Sequence, residues 1–400
     1  MTGQTEFIPS RTEALKNLSD FLPKAGRNYA ARRNYDFGAG RHHEVSKLSP
    51  YLRCRLITER EVLRAVLNRH SEKAAEKFIQ EVFWRTYWKG WLELRPSTWR
   101  HYQTGLATAW NNVQTQDGLR DRWGAACRGD TDLECFNSWA HELVSTGYLH
   151  NHARMWFASI WIFTLRLPWE LGADFFLRHL LDGDPASNTL SWRWVAGLQT
   201  PGKTYLARAS NIAKYSDGRF RAERQLADAA PPLTGPPHPP PTPLRPPLTV
   251  QRDLKTGLLL HHDDLSPGFL LETLRPVSLC QLRHDNGFSP LTPSPLVTEF
   301  RHAATNETAT RFAHRFETTA IAGSVEDLLD WSARENLQQI IMAEAPVGPI
   351  ATLLQDFANH PQAPRLCAVR RPYDALTWPL ATKGFFSFRK SIPNVLSQII

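Results

Sequence analysis

The sequence predicts an all-α domain followed by a smaller α/β domain built on a parallel sheet. Three observations predict it: helical apolar spacing up to residue 224, a segment dense in proline, and apolar runs that alternate with helical patterns from residue 251. Alternating strands and helices are typical of parallel sheets with right-handed crossovers. The predicted organisation is a helical domain over 1–224, a linker over 225–250 and an α/β domain over 251–400.

Composition narrows the class of protein. The net charge of +8 favours a polyanionic partner without identifying one, because the basic residues are scattered along the chain. The five cysteines form no CxxC pair, so a disulfide framework and a metal site are not expected. The apolar segment Met155 to Leu165 is too short to span a membrane, and no signal peptide is recognisable. We therefore expect a cytoplasmic protein with no membrane partner.

The densest chemical pattern lies between residues 146 and 194, where two amphipathic helices are predicted. The first presents residues three and four positions apart on one face: His150, Asn151, Arg154 and Met155. The next residues are almost wholly apolar, so Arg154 begins at the edge of a core and needs an anionic partner. Asp182 and Asp184 are the two candidates for that partner.

Two helix starts are indicated by a capping residue directly before a proline, an aspartate in one case and a serine in the other. Asp184 before Pro185 predicts an N-cap, with Asn188 and Trp192 following at helical spacing and Trp194 just beyond. Ser49 before Pro50 predicts another N-cap. Its free backbone N–H groups and the neighbouring polar side chains predict an anion cradle over Ser46, Lys47, Leu48 and Ser49. An ordinary helix cap is the alternative interpretation.

A third helix carries an aromatic stripe over residues 78–88, FIQEVFWRTYW. Trp84 and Trp88 lie four residues apart, so they share a face. A buried amphipathic helix explains the tryptophans. It does not explain Glu81 and Arg85 beside them on a helix this apolar.

Taken together, these segments resemble the flavin-binding domain of the photolyase and cryptochrome family. The family pattern tG-aromatic-hydrophobic-HN-x-x-R-M-x-x-AS matches Thr146 to Ser159, and L-x-D-G-D-x-A-x-N-x-x-x-W-x-W matches Leu181 to Trp194. VSKLSPYL and the aromatic stripe are similar to two further family segments. The resemblance implies a helical bundle that holds FAD non-covalently. The matching cofactor-binding positions are Tyr29, Ser46, Lys47, Leu48, Ser49, Arg85, Asn151, Arg154, Asp182, Asp184 and Asn188.

The resemblance also implies a function, blue-light-driven repair of cyclobutane pyrimidine dimers in DNA by electron transfer from reduced FAD. In this scheme Glu81 contacts the dimer, Trp84 and Trp194 flank it, and Trp192 and Trp169 begin a tryptophan relay. The usual third relay position aligns near Thr115, so Trp110 or Trp123 is the expected substitute. The matching catalytic positions are Glu81, Trp84, Asn151, Met155, Trp169, Trp192 and Trp194.

Several departures from the family pattern favour other functions. His152 replaces a usual arginine, and the segment Gly129 to Asn137 lacks a glycine, a proline and an aspartate of the family. The alternative function is a cryptochrome-like photoreceptor that signals through a protein partner without repair. A flavoprotein acting on another nucleic-acid lesion is a third possibility. The tripeptide His150–His152 also reads HNH, but a nuclease of that type needs a ββα metal fold rather than a helix.

The C-terminal part is predicted to contain five buried strands. No GxGxxG follows the first of them, which argues against a dinucleotide fingerprint. GLLLHHDDLSP and the segment 372–388 resemble parts of the family's Rossmann-like α/β domain, which in the family comes first. We interpret this as a swapped domain order, and an unrelated α/β module is the alternative. The resemblance implies that this domain can hold an antenna chromophore: a folate, a deazaflavin or a lumazine. The predicted strands are Gly257 to His262, Ser278 to Arg283, Thr318 to Gly323, Gln338 to Ala345 and Arg365 to Arg371.

Overall fold

A computed structural model describes residues 6–246 and 248–400 and divides them into a helical part and a sheet with flanking helices. The helical part precedes the proline-rich segment, as the sequence predicts. Its helices are α1 (Arg11–Phe21), α2 (Arg27–Arg32), α3 (Ser49–Arg53), α4 (Glu59–Leu67), α5 (Glu72–Glu93), α6 (Ser97–Thr115), α7 (Asp117–Arg128), α8 (Glu134–Thr146), α9 (Asn151–Ser159), α10 (Trp169–His179), α11 (Pro185–Val195) and α12 (Ala209–Tyr215).

Side-chain caps set some of these helix starts. Thr58 and Glu61 form a reciprocal capping box at the start of α4, and the Ser71 hydroxyl accepts the backbone N–H of Ala74 at the start of α5. The predicted N-cap role of Ser49 is wrong. Leu48 occupies that position with helical dihedrals and no side-chain cap, because the left-handed turn at Lys47 (φ 50°) brings the chain into the helix one residue earlier.

The helix after His150 is buried as its apolar composition predicts. α9 continues into a π-helical turn, Ile160–Thr164, and Trp156 and Trp161 are fully buried. The wide turn places Trp161 against α10, where its indole N–H donates to the carbonyl of Pro168 at 2.9 Å. This segment is the centre around which α8, α10 and α11 pack.

The proline-rich segment is extended and lies along the helical part. Its contacts include hydrogen bonds to the backbone: the N–H of Thr242 donates to the carbonyl of Leu94 at 2.7 Å, and the Arg95 Nε donates to the carbonyl of Pro239 at 3.1 Å. Neither helix nor strand occurs in its described residues. A proline-dense chain favours such an extended path because each proline has a fixed φ and no N–H donor.

The C-terminal part contains a five-stranded, fully parallel sheet in the order β3-β2-β1-β4-β5. All six residues of β1 are buried at its centre. The prediction that every strand is buried is wrong for β3, which is an edge strand with mostly exposed residues. β5 is the opposite, partly exposed edge. The strands and the helices between them are β1 (Thr256–His261), α13 (Gly268–Leu271), β2 (Ser278–Leu282), α14 (Pro295–Phe312), β3 (Thr318–Ala322), α15 (Val325–Arg334), β4 (Gln339–Ala343), α16 (Pro349–Ala358) and β5 (Arg365–Val369).

The last helices leave the sheet and pack into the core of the helical part. They are α17 (Pro372–Thr377), α18 (Phe385–Phe388) and α19 (Ile392–Ile399). The hydroxyls of Tyr373 in α17 and Thr86 in α5 are 2.9 Å apart, and the Phe388 ring lies 6.2 Å from that of Phe83. The chain end therefore completes the helical core, although the sequence assigns it to the α/β domain.

Buried ion pairs join the two parts. Arg55 and Asp374 form two hydrogen bonds of 2.6 Å each, and Arg53 donates to Asp263 at 2.5 Å. Asp263 lies in the short segment after β1, where the carboxyl ends of the parallel strands meet the helical part. In the part of the chain that the structure describes, no helix is both long and apolar enough to cross a membrane.

Candidate functional site

Arg154 finds its predicted anionic partner in Asp182. Its Nη1 and Nη2 donate to the two carboxylate oxygens at 3.0 and 2.9 Å, and its Nε donates to the carbonyl of Leu149 at 2.8 Å. The Asp182 side chain is 5% exposed and that of Arg154 is 23% exposed. The pair joins the first turn of α9 to the loop before α11, and the guanidinium stays partly exposed.

Asp184 is the predicted N-cap of α11 and accepts the backbone N–H of Ser187 at 2.8 Å. It is buried among three cations: the closest nitrogens of Arg53, Arg85 and Lys89 lie 3.9, 3.7 and 3.8 Å from its Oδ2. Burial alone raises the pKa of Asp184, but Lys89, Arg85 and Arg53 more than offset this and lower it to about 2. The carboxylate is therefore ionised at neutral pH.

Arg85 supplies unused donors beside Asp184. Its Nε and Nη2 are buried and have no hydrogen-bond partner among the described residues, and the same holds for Lys89 Nζ. Arg85 lies 3.7 Å from Glu59, which is too long for a hydrogen bond. Buried cationic donors without partners are costly, so this position fits a bound polar or anionic group. These observations agree with the requirements of a flavin cofactor with its diphosphate and polar ring edges.

Asn188 and Trp192 occupy successive turns of the same buried helix. The amide Nδ2 of Asn188 donates to the carbonyl of Ala173 at 2.8 Å, which fixes the side chain and leaves its oxygen as a free acceptor. Trp192 is 2% exposed and packs edge-on against Phe176 at 5.1 Å. Its ring lies directly over Gly172, where a Cβ would come within 2.3 Å of it.

The predicted anion cradle has the expected polar residues but different contacts. The Lys47 ammonium pairs with Glu6, so its charge is already engaged. Leu48 is buried, and its N–H points to the Ser46 hydroxyl at 3.4 Å. Tyr29 is buried between Phe21 and Phe78, with edge-to-face ring distances of 5.9 and 5.2 Å. Ser49 is the first residue of α3.

The predicted dimer-binding residues are partly accessible, and several have partners that the sequence did not indicate. Glu81 forms an ion pair with Arg33. Phe385 from α18 stacks on Trp84 with ring centroids 3.6 Å apart and planes 12° from parallel. Trp194 packs against Tyr205 at 5.7 Å. Asn151 is exposed and Met155 half-buried, both in the first turns of α9.

His152 stands where the family has an arginine, and it is held in the structure. Its Nδ1 is 3.0 Å from the carbonyl of Asn34, and its ring stacks on Trp156 at 4.2 Å. Its Nε2 lies 3.4 Å from the Tyr205 hydroxyl. Burial lowers the pKa of His152, so at neutral pH it is a neutral hydrogen-bonding group rather than a cation. Unlike an arginine, His152 therefore offers no positive charge at this position.

The aromatic side chains next to Trp169 are not the two tryptophans that the sequence suggests. Trp110 and Trp123, the expected substitutes, pair with each other at 5.3 Å. The ring beside Trp169 is Tyr102 at 5.7 Å, and Trp99 lies 5.1 Å beyond it. Sequence analysis missed Tyr102 and Trp99, although both lie on α6 at a spacing that places them on one face.

A second buried polar cluster was not found from the sequence. Among the described residues, Asp36, His42 and Glu142 are the group whose ligand atoms come close enough to hold a metal ion. His42 Nε2 is 2.6 Å from Glu142, while its Nδ1 faces Asp36 at 3.8 Å. Asp36 also accepts from Arg219 at 2.7 Å and from the Trp139 indole at 3.0 Å. Within the part of the chain that the structure describes, the imidazole is therefore hydrogen-bonded to Glu142 alone, and its buried Nδ1 faces Asp36 across a gap too long for a hydrogen bond.

Fold and site together define a helical cofactor-binding domain joined to a parallel α/β domain. The sequence model described as the FAD binding domain of DNA photolyase matches residues 78–219, which contain Glu81, Arg154, Asp182 and Asp184. Over these residues the helical part of this chain is similar to the FAD binding domain of DNA photolyase.

Individual relatives match about half of this chain. Deoxyribodipyrimidine photo-lyases of Alkalihalophilus pseudofirmus and Agrobacterium fabrum are 29% and 32% identical over 209 and 197 residues, each match covering 48% of this chain. A crystal structure of a class III photolyase from Agrobacterium tumefaciens is 27% identical, with a TM-score of 0.44, and the match covers 52% of this chain and 43% of that one. The chain spans 39% of the length of either curated relative.

Proposed function

We propose that this chain is a light-driven flavoprotein that splits cyclobutane pyrimidine dimers in DNA. The observation that carries the proposal is the arrangement around Arg154, Asp182 and Asp184, within the segment that matches the photolyase FAD-binding domain. Reduced FAD, excited by blue light, would supply an electron to the dimer. The protein's own residues must bind the cofactor, exclude water and hold the flipped bases.

The cofactor role is supported by donors and acceptors that the fold leaves available. Arg85 offers buried N–H groups, Asn188 offers its side-chain oxygen, and Arg154 offers a partly exposed guanidinium. Asp182 and Asp184 keep these cations in place. The segment 46–49 would hold the diphosphate, provided that Lys47 exchanges Glu6 for a phosphate.

The DNA role is supported by aromatic and polar groups on α5, α9 and α11. A base extruded from a duplex needs flat apolar walls and hydrogen-bonding groups on its edge. Trp84 and Trp194 would be the walls, and Glu81 with Asn151 would contact the base edges. Met155 lies one turn after Asn151 and would fill the base of the slot.

A second candidate function is a blue-light photoreceptor without repair. The observation that favours it is the stack of Phe385 on Trp84, which leaves only one face of this tryptophan for a base. In a receptor, the change in flavin charge would be read by a protein partner. A flavoprotein acting on another lesion would need the same cofactor residues and a differently shaped slot.

Two measurements separate these candidates. The purified protein is expected to absorb as a flavoprotein, and to restore dimer-containing DNA under blue light after reduction. Glu81→Ala is expected to abolish or strongly reduce repair while retaining FAD, and Glu76→Ala, an exposed residue on the same helix, is the matched control. A wild-type protein that photoreduces but never repairs the DNA would favour the receptor, and one that takes up no FAD would exclude both.

We also propose that the two domains stand in swapped order relative to the family. The support is the parallel sheet order β3-β2-β1-β4-β5 and the buried contacts of Arg53 and Arg55 with the residues after β1. An antenna chromophore, such as a folate, deazaflavin or lumazine, would bind this domain, and an absorption band beyond those of FAD would reveal it. A cytoplasmic location is part of the same proposal, supported by five cysteines that form no disulfide in the described residues.

A further inference from the structure

The segment around α18 presents an aromatic side chain to solvent. Phe386 is 73% exposed, the highest value among the large hydrophobic side chains that the structure describes. Its neighbour Phe385 is buried and stacks on Trp84, so Phe386 lies at the rim of the predicted dimer slot. Single exposed apolar side chains are common on protein surfaces, so the feature that bears on function is the position of Phe386 next to the Phe385–Trp84 stack.

The same segment is rich in unpaired positive charge. Lys383, Arg389 and Lys390 are exposed, and none forms an ion pair with any residue that the structure describes. The guanidinium of Arg389 lies 5.7 Å from the Phe386 ring. From Ala375 to the end of the printed sequence there is no aspartate or glutamate. This stretch is therefore cationic without local compensation.

We infer that residues 383–390, here called the C-terminal basic edge, form a DNA-contacting surface that extends the slot beyond Trp84. The inference rests on the proposed function. Phe386 stacks on a base next to the lesion, and Lys383, Arg389 and Lys390 contact the backbone phosphates around it. Because the segment belongs to the last helices of this chain, its position follows from their packing on α5.

The chemistry of the surface fits DNA better than the other anionic partner, a membrane. Bases of every type have a flat face that stacks on an aromatic ring, and phosphates bind lysine and arginine through counterion release. A membrane-binding helix needs a long amphipathic face, whereas α18 has four residues and one exposed aromatic ring. The basic edge is also continuous with a tryptophan that the proposed function assigns to base contact.

The test for Phe386 is binding of the full-length, FAD-loaded protein to a fluorescein-labelled duplex that carries one thymine dimer. Phe386→Ala is expected to weaken binding about five- to hundredfold, the range for loss of one base stack. Ile321→Ala, a 56% exposed side chain on the edge strand β3, is the matched control and is expected to bind as the wild type does.

The test for the charges is the salt dependence of the same binding. We expect a flatter plot of the logarithm of the binding constant against the logarithm of salt concentration for the triple variant Lys383→Ala/Arg389→Ala/Lys390→Ala. The slope should fall by about 0.9 for each phosphate that the variant no longer neutralises. The control removes three exposed cations of the α/β domain, Arg252→Ala/Lys255→Ala/Arg334→Ala, and is expected to leave the slope unchanged. FAD absorbance of each variant shows that the protein is folded.

The outcomes separate this inference from the proposed function. If the wild type binds and repairs the duplex but both basic-edge variants bind equally well, the inference is overturned and the proposed function stands. If the wild type neither binds nor repairs the duplex, both fail. The last measurement is binding of the protein to vesicles of phosphatidylserine and phosphatidylcholine. If Phe386→Ala abolishes vesicle binding but leaves DNA binding unchanged, the surface binds membranes and the inference is overturned.

Discussion

Arg154 and Asp182 form a two-point ion pair with parallel hydrogen bonds of 3.0 and 2.9 Å. The planar guanidinium and the carboxylate match each other, so the geometry is fixed as well as the charge. The pair is only partly accessible, which reduces screening by water and salt. It therefore fixes the start of α9 relative to the start of α11, and both helices carry candidate cofactor residues.

Asp182→Asn is expected to weaken FAD binding about tenfold or more. The amide has the same size, but it removes the charge that holds Arg154, and a hydrogen bond to a charged group contributes about 1.5–3 kcal/mol. FAD retained after gel filtration, measured by absorbance, gives the result. Asp117→Asn is the control, because Asp117 pairs with Arg120 on the surface and is 91% exposed. Equal FAD content in wild type and Asp182→Asn would contradict the prediction.

Gly172→Ala is expected to destabilise the helical domain by about 1–3 kcal/mol, because the new Cβ would lie 2.3 Å from the Trp192 ring and 3.0 Å from that of Trp161. The gain of about 1 kcal/mol in helix propensity does not offset a clash with two buried indoles. Urea unfolding followed by tryptophan fluorescence measures the change. Gly268→Ala, where nothing lies within 4 Å of the new Cβ, is the control and is expected to be neutral. A Gly172→Ala protein as stable as the control would show that the Trp192 ring can move.

The sequence alone predicted those features of the structure that depend on neighbouring residues. The N-cap role of Asp184 before Pro185 follows from adjacent residues, and the partner of Arg154 is one of the two aspartates that the sequence offers. Ser49 shows the limit of this reasoning, because the same Ser-Pro signal was displaced by a left-handed residue before it. A lysine rarely adopts such a dihedral angle, so its residue type gives no indication of the turn.

Contacts between distant segments could not be read from the sequence. Nothing near Trp84 indicates that Phe385 stacks on it, and nothing near Arg55 indicates Asp374 as its partner. β3 has an apolar pattern similar to that of a central strand, yet it lies at the sheet edge. Position in a sheet depends on the whole topology, so local hydrophobicity cannot distinguish an edge from a centre.

Trp99→Phe is expected to slow photoreduction of FAD several-fold more than Trp110→Phe. Trp99 continues the aromatic series from Trp169 through Tyr102, whereas Trp110 contacts Trp123. Both tryptophans lie on α6, so each variant is the structural control for the other. The rate of flavin bleaching under blue light with an external reductant gives the comparison. A larger effect of Trp110→Phe would contradict this prediction and would support Trp110 as the relay residue, as the sequence suggested.

Glu93 is expected to make the protein less stable as pH rises from about 4.5 to about 8. Burial at the end of α5 raises the pKa of Glu93 to about 8, and its Oε1 accepts the backbone N–H of Val347 at 2.6 Å. The folded state therefore keeps a proton that the unfolded chain releases at its ordinary pKa of 4.5. Stability from this group is fully present below pH 4.5 and falls by at most about 1.4 kcal/mol per pH unit until the folded-state pKa is passed.

Glu93→Gln is expected to remove this dependence, because the amide keeps the acceptor for Val347 and carries no ionisable group. Urea unfolding at intervals between pH 5 and about 8 should show wild type losing stability relative to the variant, with the difference greatest at the upper end. Glu76→Gln on the exposed face of the same helix should leave the wild-type profile unchanged. Parallel profiles for wild type and Glu93→Gln would mean that Glu93 is ionised in the folded protein, and that the junction between α5 and the loop after β4 admits enough water to solvate it.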